Sequence, residues 1–323
     1  MTHSARPARS RPAPNISQDP TMPIAPALLA LTLALAAADG PKPPPGAPAG
    51  TKAHRDVAYV PGGHERQKLD LFVPPGDGPR PLVIWIHGGA FMMGDKAEWG
   101  PPLELLGEGY AVASLNYRLS QHAIFPAPVE DAKAAVRFLR KHAKEYGIDP
   151  DRFGAWGASA GGYQSAMLGT TASTKAFDVG ENLDVSSAVQ CVVDEYGPTD
   201  FTKMTEQAKA LPGADEHDAP DSPESKLLGG PVQENKAKAA QADPCTYVTK
   251  DAPPFLIMHG DHDKLVPYGQ SVLLVDALKK AGASVAFHTV KGGGHGDGFG
   301  EPERRAALDF LAKHLKRGSS TGR

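Results

Sequence analysis

The chain has 323 residues, a formal net charge of −3 and 41% hydrophobic residues, which is enough for one large α/β domain with additional segments. Acidic and basic residues are mixed along the chain, and no basic stripe is interleaved with aromatic residues, so nothing in the sequence favours nucleic-acid binding. The sequence also lacks C-x-x-C, H-E-x-x-H and any cluster of histidines and cysteines, so no metal site is expected.

The N-terminal segment has the pattern of an export signal. Residues 26–38 form a run of alanines and leucines that is preceded by three arginines and ends in three alanines. This run is too short to span a bilayer as a stable helix and is typical of the hydrophobic region of a signal peptide. We therefore expect residues 1–38 to be a leader, and the mature protein to be periplasmic or secreted without a stable membrane span. A disordered alanine-rich leader is the alternative, and translation could start at Met1 or Met22.

Strands and helices alternate along the remainder of the chain. The residues after the leader divide into a Pro- and Gly-rich linker over 39–53, a domain over 54–316 and a disordered tail over 317–323. Apolar runs predict strands over 57–60, 68–73, 82–86, 110–115, 152–156, 188–193, 254–258 and 285–290. Helical spacing predicts helices over 102–108, 129–146, 270–281 and 303–315, and one that starts near Gly162.

This alternation implies an α/β fold in which a mainly parallel, twisted sheet of about eight strands carries helices on both faces. Strands and helices no longer alternate over residues 201–250, and we interpret this segment as an insertion that caps one end of the sheet. Ligands of such sheets bind at the carboxyl ends of the strands. The conspicuous polar residues directly follow strands, which points to one site at that edge: His87, Ser159, Asp200, Asp263 and His295.

A G-x-S-x-G motif at residues 157–161 lies between a predicted strand and a predicted helix. In this context the serine is expected on a sharp turn with its hydroxyl group exposed at the N-terminus of the helix. Gly157 and Gly161 are needed because a side chain there would clash with the neighbouring strand or helix. Ser159 is therefore the candidate nucleophile, and a solvated serine in a glycine-rich turn is the alternative.

Such a serine requires a base and a group that orients the base. His295 follows the last predicted strand between glycines and is the candidate base, in preference to His288 and His262. Asp263 is the candidate acid, because it lies farther from the strand end than Asp261, which we expect to brace its loop. The order serine, aspartate, histidine is the one expected for this architecture.

Backbone amides near the serine could stabilise the negative charge that develops on the substrate oxygen. Gly88 and Gly89 follow a buried strand, and Ala160 follows the serine directly. These three amides are the predicted oxyanion hole. The alternative for Gly88 and Gly89 is an ordinary strand-exit turn.

These segments together resemble a known superfamily. Six motifs occur in the order typical of α/β-hydrolases: His87-Gly88-Gly89-Ala90-Phe91, Asn116-Tyr117-Arg118-Leu119, Gly157-Ala158-Ser159-Ala160-Gly161-Gly162, Tyr196-Gly197-Pro198-Thr199-Asp200, His259-Gly260-Asp261-His262-Asp263 with Val266-Pro267, and Gly294-His295-Gly296. The chain is most similar to the bacterial feruloyl esterase-like (BD-FAE) branch, near the hormone-sensitive-lipase-type esterases, over roughly residues 54–316. The resemblance implies the α/β-hydrolase fold, the Ser159–Asp263–His295 triad and the same oxyanion hole. In one departure, Ala90 replaces the third glycine of the hormone-sensitive-lipase motif.

The expected activity is hydrolysis of carboxylic esters through an acyl-enzyme, without cofactor or metal. The substrate would be a small-molecule or glycan-linked ester, such as a short-acyl, feruloyl or acetyl ester of a polysaccharide. Candidate pocket residues are Phe91, Met92, Met93, Phe125 and Tyr163, with ordinary core packing as the alternative for each. An amidase or peptidase of the same fold, such as an arylformamidase-like enzyme, and a non-catalytic exported binding protein are the alternatives. The sequence leaves open the acyl and alcohol specificity, the oligomeric state and whether Cys191 pairs with Cys245, which would require Cα atoms within about 7 Å.

Overall fold

The computed structural model describes Met1 and residues 41–98 and 100–316. The predicted leader (apart from Met1) and the predicted tail therefore lie outside the described residues. The chain divides into two units, residues 1–38 and 39–323, and the second unit contains every helix and strand described below.

An eight-stranded sheet is the central layer of this unit. Its strands are β1 (Lys52–Ala58), β2 (Lys68–Val73), β3 (Arg80–Ile86), β4 (Ala111–Leu115), β5 (Ile148–Ala158), β6 (Cys191–Glu195), β7 (Phe255–Gly260) and β8 (Val285–Val290). The strand order is β1-β2-β4-β3-β5-β6-β7-β8, in which β2 pairs antiparallel with β1 and with β4, and the other neighbours are parallel. The prediction of a mainly parallel sheet of about eight strands is confirmed. β1 begins two residues before the predicted start of the domain at His54.

Helices cover both faces of this sheet. They are α1 (Ala127–Lys141), α2 (Ala143–Tyr146), α3 (Ala160–Thr170), α4 (Phe201–Ala208), α5 (Pro223–Leu228), α6 (Lys236–Ala242), α7 (Gly269–Ala281) and α8 (Glu301–Leu315). Helices α1, α3 and α7 pack on one face, while α8 and a single 3-10 turn at Leu103–Leu106 pack on the other.

Alternation of side chains across the strands produces these two cores. On β3, for example, Ile84 belongs to the core beneath α1, α3 and α7, whereas Val83 belongs to the core beneath α8. Both side chains are completely buried, as expected for a strand covered on both faces. The continuous apolar runs of the sequence are explained by this double burial.

Two helix predictions were too long. The helix predicted over 129–146 is divided into α1 and α2 at His142, whose backbone (φ −98°, ψ 13°) leaves the helical region. Gly147 ends α2 in the left-handed conformation (φ 70°), a role that glycine fills readily because it has no Cβ. The helix predicted over 102–108 is reduced to the 3-10 turn, after which Tyr110 donates its amide to the Leu105 carbonyl.

The insertion over residues 201–250 forms a cap with its own small core. Helices α4, α5 and α6 and 3-10 turns at Val232–Glu234 and Pro244–Tyr247 make up this segment. Phe201, Leu227 and Ala239 from the cap are buried together with Phe91 from the loop after β3 and Tyr163 from α3. The cap is therefore fixed to the carboxyl ends of the strands by apolar burial.

Both cysteines are free thiols. Cys191 is buried on β6, and Cys245 lies in the 3-10 turn of the cap. Among the residues with described positions, no helix is long and apolar enough to cross a membrane.

Candidate active site

Ser159 is held in a strained turn between β5 and α3. Its backbone angles (φ 57°, ψ −123°) lie outside the regions that ordinary residues favour. The turn can close only because two neighbours are glycines. A Cβ on Gly161 would collide with the Ile86 carbonyl, and a Cβ on Gly157 would collide with the Gly161 carbonyl. The predicted requirement for glycine at both positions is confirmed.

Two loops that follow neighbouring strands bring a histidine and an aspartate to this serine. His295 Nε2 lies 2.9 Å from Ser159 Oγ, and His295 Nδ1 lies 2.7 Å from Asp263 Oδ2. An ionised carboxylate can only accept hydrogen bonds, so Nδ1 carries the proton. In the neutral ring Nε2 is then free to accept the hydrogen bond of the serine hydroxyl. The arrangement is that of a nucleophile, a base and a group that orients the base.

Asp263 is completely buried and is surrounded by hydrogen-bond donors. Oδ1 accepts from the amides of Leu265 and Val266 at 2.8 and 2.9 Å, and Oδ2 accepts from two histidines, His295 and His259. Burial alone raises the pKa of Asp263, but the hydrogen bonds from the two histidines outweigh burial and hold the pKa well below its usual value. The carboxylate is therefore ionised whenever the histidine must act as a base.

His259 is a residue that the sequence analysis missed. It is the penultimate residue of β7 and is completely buried. Its Nε2 lies 3.1 Å from Asp263 Oδ2 and 2.9 Å from the Val266 carbonyl. A carbonyl only accepts, so Nε2 carries a proton that it shares between these two oxygens. Nδ1 lies 2.7 Å from Ser271 Oγ on α7. His259 thus anchors Asp263 to the helical layer, and its place at a strand end was the available signal.

Asp261, the alternative acid, has a different position. It accepts the Gly292 amide at 2.7 Å and contacts Lys291 and His262, which ties the loop after β7 to the loop after β8. This is the bracing role that the sequence analysis proposed. His288, the alternative base, pairs with Glu303 at 2.9 Å instead.

The predicted oxyanion-hole residues Gly88, Gly89 and Ala160 line one cavity with Ser159 and His295. Two buried side chains, His87 and Tyr117, set the directions of the Gly88 and Gly89 amides. The Tyr117 hydroxyl donates to the His87 carbonyl at 3.0 Å, and His87 Nδ1 lies 2.7 Å from the Gly88 carbonyl. In a trans peptide the N–H points away from the C=O. Fixing these two carbonyls therefore fixes the directions of the Gly88 and Gly89 amides.

The protonation state of His87 suits this role. Arg66 has only donors and lies 3.2 Å from His87 Nε2, so Nε2 accepts and Nδ1 keeps the proton that the Gly88 carbonyl receives. Burial is the main reason that the pKa of His87 falls to about 4, and the charge of Arg66 lowers it further. The ring is therefore neutral at physiological pH, and its hydrogen-bonding direction is constant.

The cavity has a volume of about 860 Å³, within the range of small-molecule sites. Apolar residues of β3 and of the loops after β3 and β7 contribute to it: Trp85, Phe91, Met93, Leu265 and Val266. Five carboxyl side chains and one histidine also contribute: Glu195, Asp215, Glu216, Asp221, Glu224 and His217. Among the lining residues that are described there is no lysine or arginine.

Of the five predicted pocket residues, Phe91 and Met93 are among the residues that line this cavity. The Tyr163 side chain is buried, because its ring packs at 5.3 Å from Phe91 and 5.4 Å from Phe201 in the core of the cap. Met92 belongs to a tight turn in which its amide donates to the Gly89 carbonyl, and the Phe125 ring packs on Phe177 at 5.5 Å.

A buried carboxyl group near the end of β6 opposes folding when it ionises. Asp194, at the end of β6, is 1% exposed and accepts the Gly197 amide at 3.0 Å. Burial raises its pKa to about 7. In the unfolded chain this group ionises near its ordinary pKa, so the stability it contributes at low pH is lost as pH rises through about 7.

We therefore expect Asp194→Asn to remove part of the pH dependence of stability. The difference in unfolding free energy between variant and wild type should grow in favour of the variant by about 3 kcal/mol between pH 5 and pH 8. Urea unfolding at both pH values measures it, and Asp251→Asn, at a highly exposed carboxylate, is the control. Parallel pH profiles for wild type and Asp194→Asn would contradict this assignment.

No group of three or more potential metal ligands occurs among His, Cys, Asp and Glu residues in the described part of the chain. The chemistry offered by the site is that of the serine, the histidine and the aspartate, with backbone amides facing the same cavity.

Comparison with known proteins agrees with this geometry. The sequence model of the BD-FAE family matches residues 69–278. Esterase LipQ of Mycobacterium tuberculosis is 31% identical over 239 residues, which cover 72% of this chain and 54% of LipQ. The chain spans about half the length of the first such curated relatives.

Solved structures are similar over a larger share of their length. A truncated carbohydrate esterase from gut microbiota superposes with a TM-score of 0.75 at 33% identity, covering 84% of this chain and all of that one. Esterase 2 of Thermogutta terrifontis phosphonylated by sarin superposes with a TM-score of 0.65 at 25% identity, covering 83% and 97% of the two chains.

Proposed function

The chain belongs to the BD-FAE family, and from that premise we propose that it is a serine hydrolase that cleaves carboxylic esters through an acyl-enzyme. One observation carries the proposal: two hydrogen bonds of 2.9 and 2.7 Å join Ser159, His295 and Asp263 in series. The choice of esters is supported by relatives that are named as esterases or as carboxylic ester hydrolases.

In the proposed reaction, Ser159 attacks the ester carbonyl while His295 takes the proton of its hydroxyl group. Asp263 keeps the imidazole in the required tautomer and stabilises the positive charge that the ring acquires. His295 then gives the proton to the leaving alcohol. In the second half of the reaction, water loses a proton to the same histidine and attacks the acyl carbon. The bond between the acyl group and Ser159 Oγ then breaks, and His295 returns the proton to Oγ as the acid is released.

The oxygen of the tetrahedral intermediate would be bound by the amides of Gly88, Gly89 and Ala160. This role is supported by the positions of the three residues on the cavity and by the carbonyl contacts of Tyr117 and His87. Donors that are already aligned need no reorganisation as the charge develops. The strained turn places Ala160 directly after the nucleophile, at the N-terminus of α3, where negative charge is favoured.

The substrates we propose are short-acyl, acetyl or feruloyl esters attached to polysaccharide. This is supported by the similarity to a protein described as a carbohydrate esterase and by a cavity that combines apolar and polar walls. We also propose that residues 1–38 direct export to the periplasm or the exterior, where such polymers occur. The proposal of export rests on the sequence pattern of residues 1–38.

Hydrolysis of p-nitrophenyl esters from acetate to decanoate, together with methyl ferulate, tests the proposal. Turnover of esters with little or no turnover of the corresponding p-nitroanilides is the expected result. Activity on anilides alone would replace the proposal with an amidase, and inactivity on both series would refute hydrolase function.

A further inference from the structure

A second cavity, with a volume of about 440 Å³, adjoins the catalytic cavity. Four described residues line both cavities: Trp85, Gly100, Glu195 and Tyr196. No residue of the triad, of the predicted oxyanion hole or of the cap is among the described residues that line the second cavity. The second cavity is therefore a separate space whose boundary with the catalytic cavity includes Glu195 and Tyr196.

These two boundary residues are fixed to the nucleophile and to the base. The Ser159 amide donates to the Glu195 carbonyl at 2.8 Å. The Tyr196 ring lies 4.6 Å from the ring of His295 and 5.1 Å from the ring of Phe299, which lines the second cavity. Tyr196 also has a positive φ of 45°, a conformation that is rare for a bulky residue and is often found at functional sites.

The proposed reaction determines which part of the ester meets this boundary. His295 Nε2 gives its proton to the leaving oxygen, so the alcohol part of the ester must begin beside the His295 ring. Tyr196 packs against that ring and also lines the second cavity. The space that an alcohol enters when it extends past His295 and Tyr196 is therefore the second cavity.

Two polar atoms at the boundary are available to a bound group. Glu195 Oε1 accepts the indole N–H of Trp156 at 3.0 Å, but Glu195 Oε2 and the Tyr196 hydroxyl have no partner among the described residues. Both side chains are partly exposed, and these two atoms are accessible, unlike the buried hydroxyl of Tyr163, which also lacks a partner. A substrate group at the boundary can therefore reach both atoms.

The two atoms suit hydroxyl groups. Burial raises the pKa of Tyr196, so its hydroxyl stays protonated and can both donate and accept. Burial raises the pKa of Glu195 to about 7, so its carboxyl group is present in both protonation states near neutral pH. A hydroxyl group on the substrate can pair with either state, because it also donates and accepts.

The other walls of the second cavity favour a neutral ligand that has apolar surface. The carboxyl groups of Glu104, Glu301 and Glu303 line it together with one cation, Arg304, which pairs with Glu301. This excess of carboxyl groups disfavours an anionic ligand. The aromatic side chains that line the cavity can pack on C–H groups: Trp85, Trp156, Tyr196 and Phe299.

We propose that the second cavity binds the alcohol part of the ester, that this alcohol is a neutral polyhydroxylated molecule of the sugar class, and that Tyr196 and Glu195 determine this specificity by hydrogen-bonding its hydroxyl groups. The inference rests on the proposed ester hydrolysis. It adds a site for the alcohol outside the catalytic cavity and assigns selectivity to two residues that follow β6 or end it.

Two acetates of three-carbon alcohols test the selectivity for hydroxyl groups. The first is glycerol acetylated at one terminal hydroxyl group, and the second is propyl acetate, which has the same carbon skeleton and acyl group without the two free hydroxyl groups. We expect wild type to favour the glycerol ester in kcat/KM by tenfold or more. Because the measured quantity is a ratio between two substrates, a general effect of a substitution on the triad cancels.

Tyr196→Phe removes the hydroxyl group and keeps the ring that packs on His295 and Phe299. We expect it to lower the preference for the glycerol ester about fivefold, as expected for one lost hydrogen bond. Tyr163→Phe is the matched control, because the Tyr163 hydroxyl is buried and lines neither cavity. This control should keep the wild-type preference.

Two substitutions of Glu195 separate hydrogen bonding from side-chain length. Glu195→Met keeps the length but removes both oxygens, so the preference should again fall about fivefold. Glu195→Gln can accept the Trp156 N–H through its oxygen and offer its amide nitrogen to a hydroxyl group. It should therefore keep the preference within about twofold of wild type.

A longer alcohol tests occupation of the second cavity. Mannitol acetylated at one terminal hydroxyl group is a flexible six-carbon probe, and its kcat/KM should exceed that of the glycerol ester several-fold in wild type. Gly300 lines only the second cavity, and its extended backbone (φ −157°) accepts any residue, since a Cβ would meet only the Pro302 side chain at 3.8 Å. Gly300→Trp should abolish the advantage of the mannitol ester, and Gly300→Ala should keep it.

The outcomes separate this inference from the proposed function. If wild type hydrolyses p-nitrophenyl acetate but shows no preference for the glycerol ester, the inference is overturned and the proposed function stands. The inference also fails if Tyr196→Phe and Glu195→Met both keep the preference, if Tyr163→Phe loses it equally, or if Gly300→Trp keeps the advantage of the mannitol ester. If wild type hydrolyses none of these esters, the proposed function is wrong and the inference falls with it.

Discussion

Ser159→Ala should lower kcat for p-nitrophenyl acetate by at least about 10⁴-fold, because no other nucleophile replaces a triad serine. The hydroxyl lost is the group 2.9 Å from His295 Nε2. The fold should be retained, since alanine can be accommodated wherever serine fits. Initial rates with the purified proteins measure kcat. Circular dichroism and thermal melting of both forms check that the fold is retained.

A serine on the helix that follows the nucleophile provides the control. Ser165 is buried on α3 and does not line the catalytic cavity. Ser165→Ala should therefore keep kcat within a few-fold of wild type. If Ser159→Ala retained more than about one hundredth of wild-type kcat, the nucleophile would have to be another residue.

Asp263→Asn is expected to lower kcat by about 10³–10⁴-fold with the nucleophile and base still present. Asparagine can present an N–H where His295 Nδ1 already carries a proton. The imidazole must then rotate or adopt the other tautomer, and Nε2 can no longer accept the serine proton. The neutral amide also replaces a carboxylate that accepts hydrogen bonds from His259, Leu265 and Val266. The free energy of unfolding should therefore fall by about 3 kcal/mol.

Asp261→Asn is the matched comparison for this variant. Both aspartates lie in the loop after β7, but Asp261 contacts the Gly292 amide and Lys291 rather than the base. We expect a change of less than about fivefold in kcat and a small loss of stability. If the two substitutions lowered kcat equally, activity would depend on the loop as a whole and not on the contact between the Asp263 carboxylate and His295.

The sequence predicts the catalytic edge well because local rules and tertiary position agree there. Ser159 and Gly161 lie where a strand must turn sharply into a helix, and Asp263 and His295 follow strands that end at the same edge. The order of strands and helices along the chain therefore determines which loops meet. The fold class follows from that order, and so does the meeting of Ser159, His295 and Asp263.

The parts that could not be predicted depend on packing between distant segments. Tyr163 has the spacing of a helix residue near the nucleophile, but its ring is buried by packing against Phe91 and against Phe201 from the cap. His217 lies in a polar segment without periodicity, and nothing in the sequence indicates that Glu224 meets it. The division of the predicted long helix at His142 likewise follows no glycine or proline.

The acidic wall of the cavity also acts on what leaves it. The proposed ester hydrolysis would convert a neutral acyl group into a carboxylate. This new charge would arise in a cavity lined by the carboxyl groups of Asp215, Glu216, Asp221 and Glu224 and, among its described lining residues, by no lysine or arginine. Like charges repel, so we expect these groups to favour departure of the acid product without opposing entry of the neutral ester. The same carboxylates would make this protein a poor binder of its own acid product, with little product inhibition as substrate is consumed.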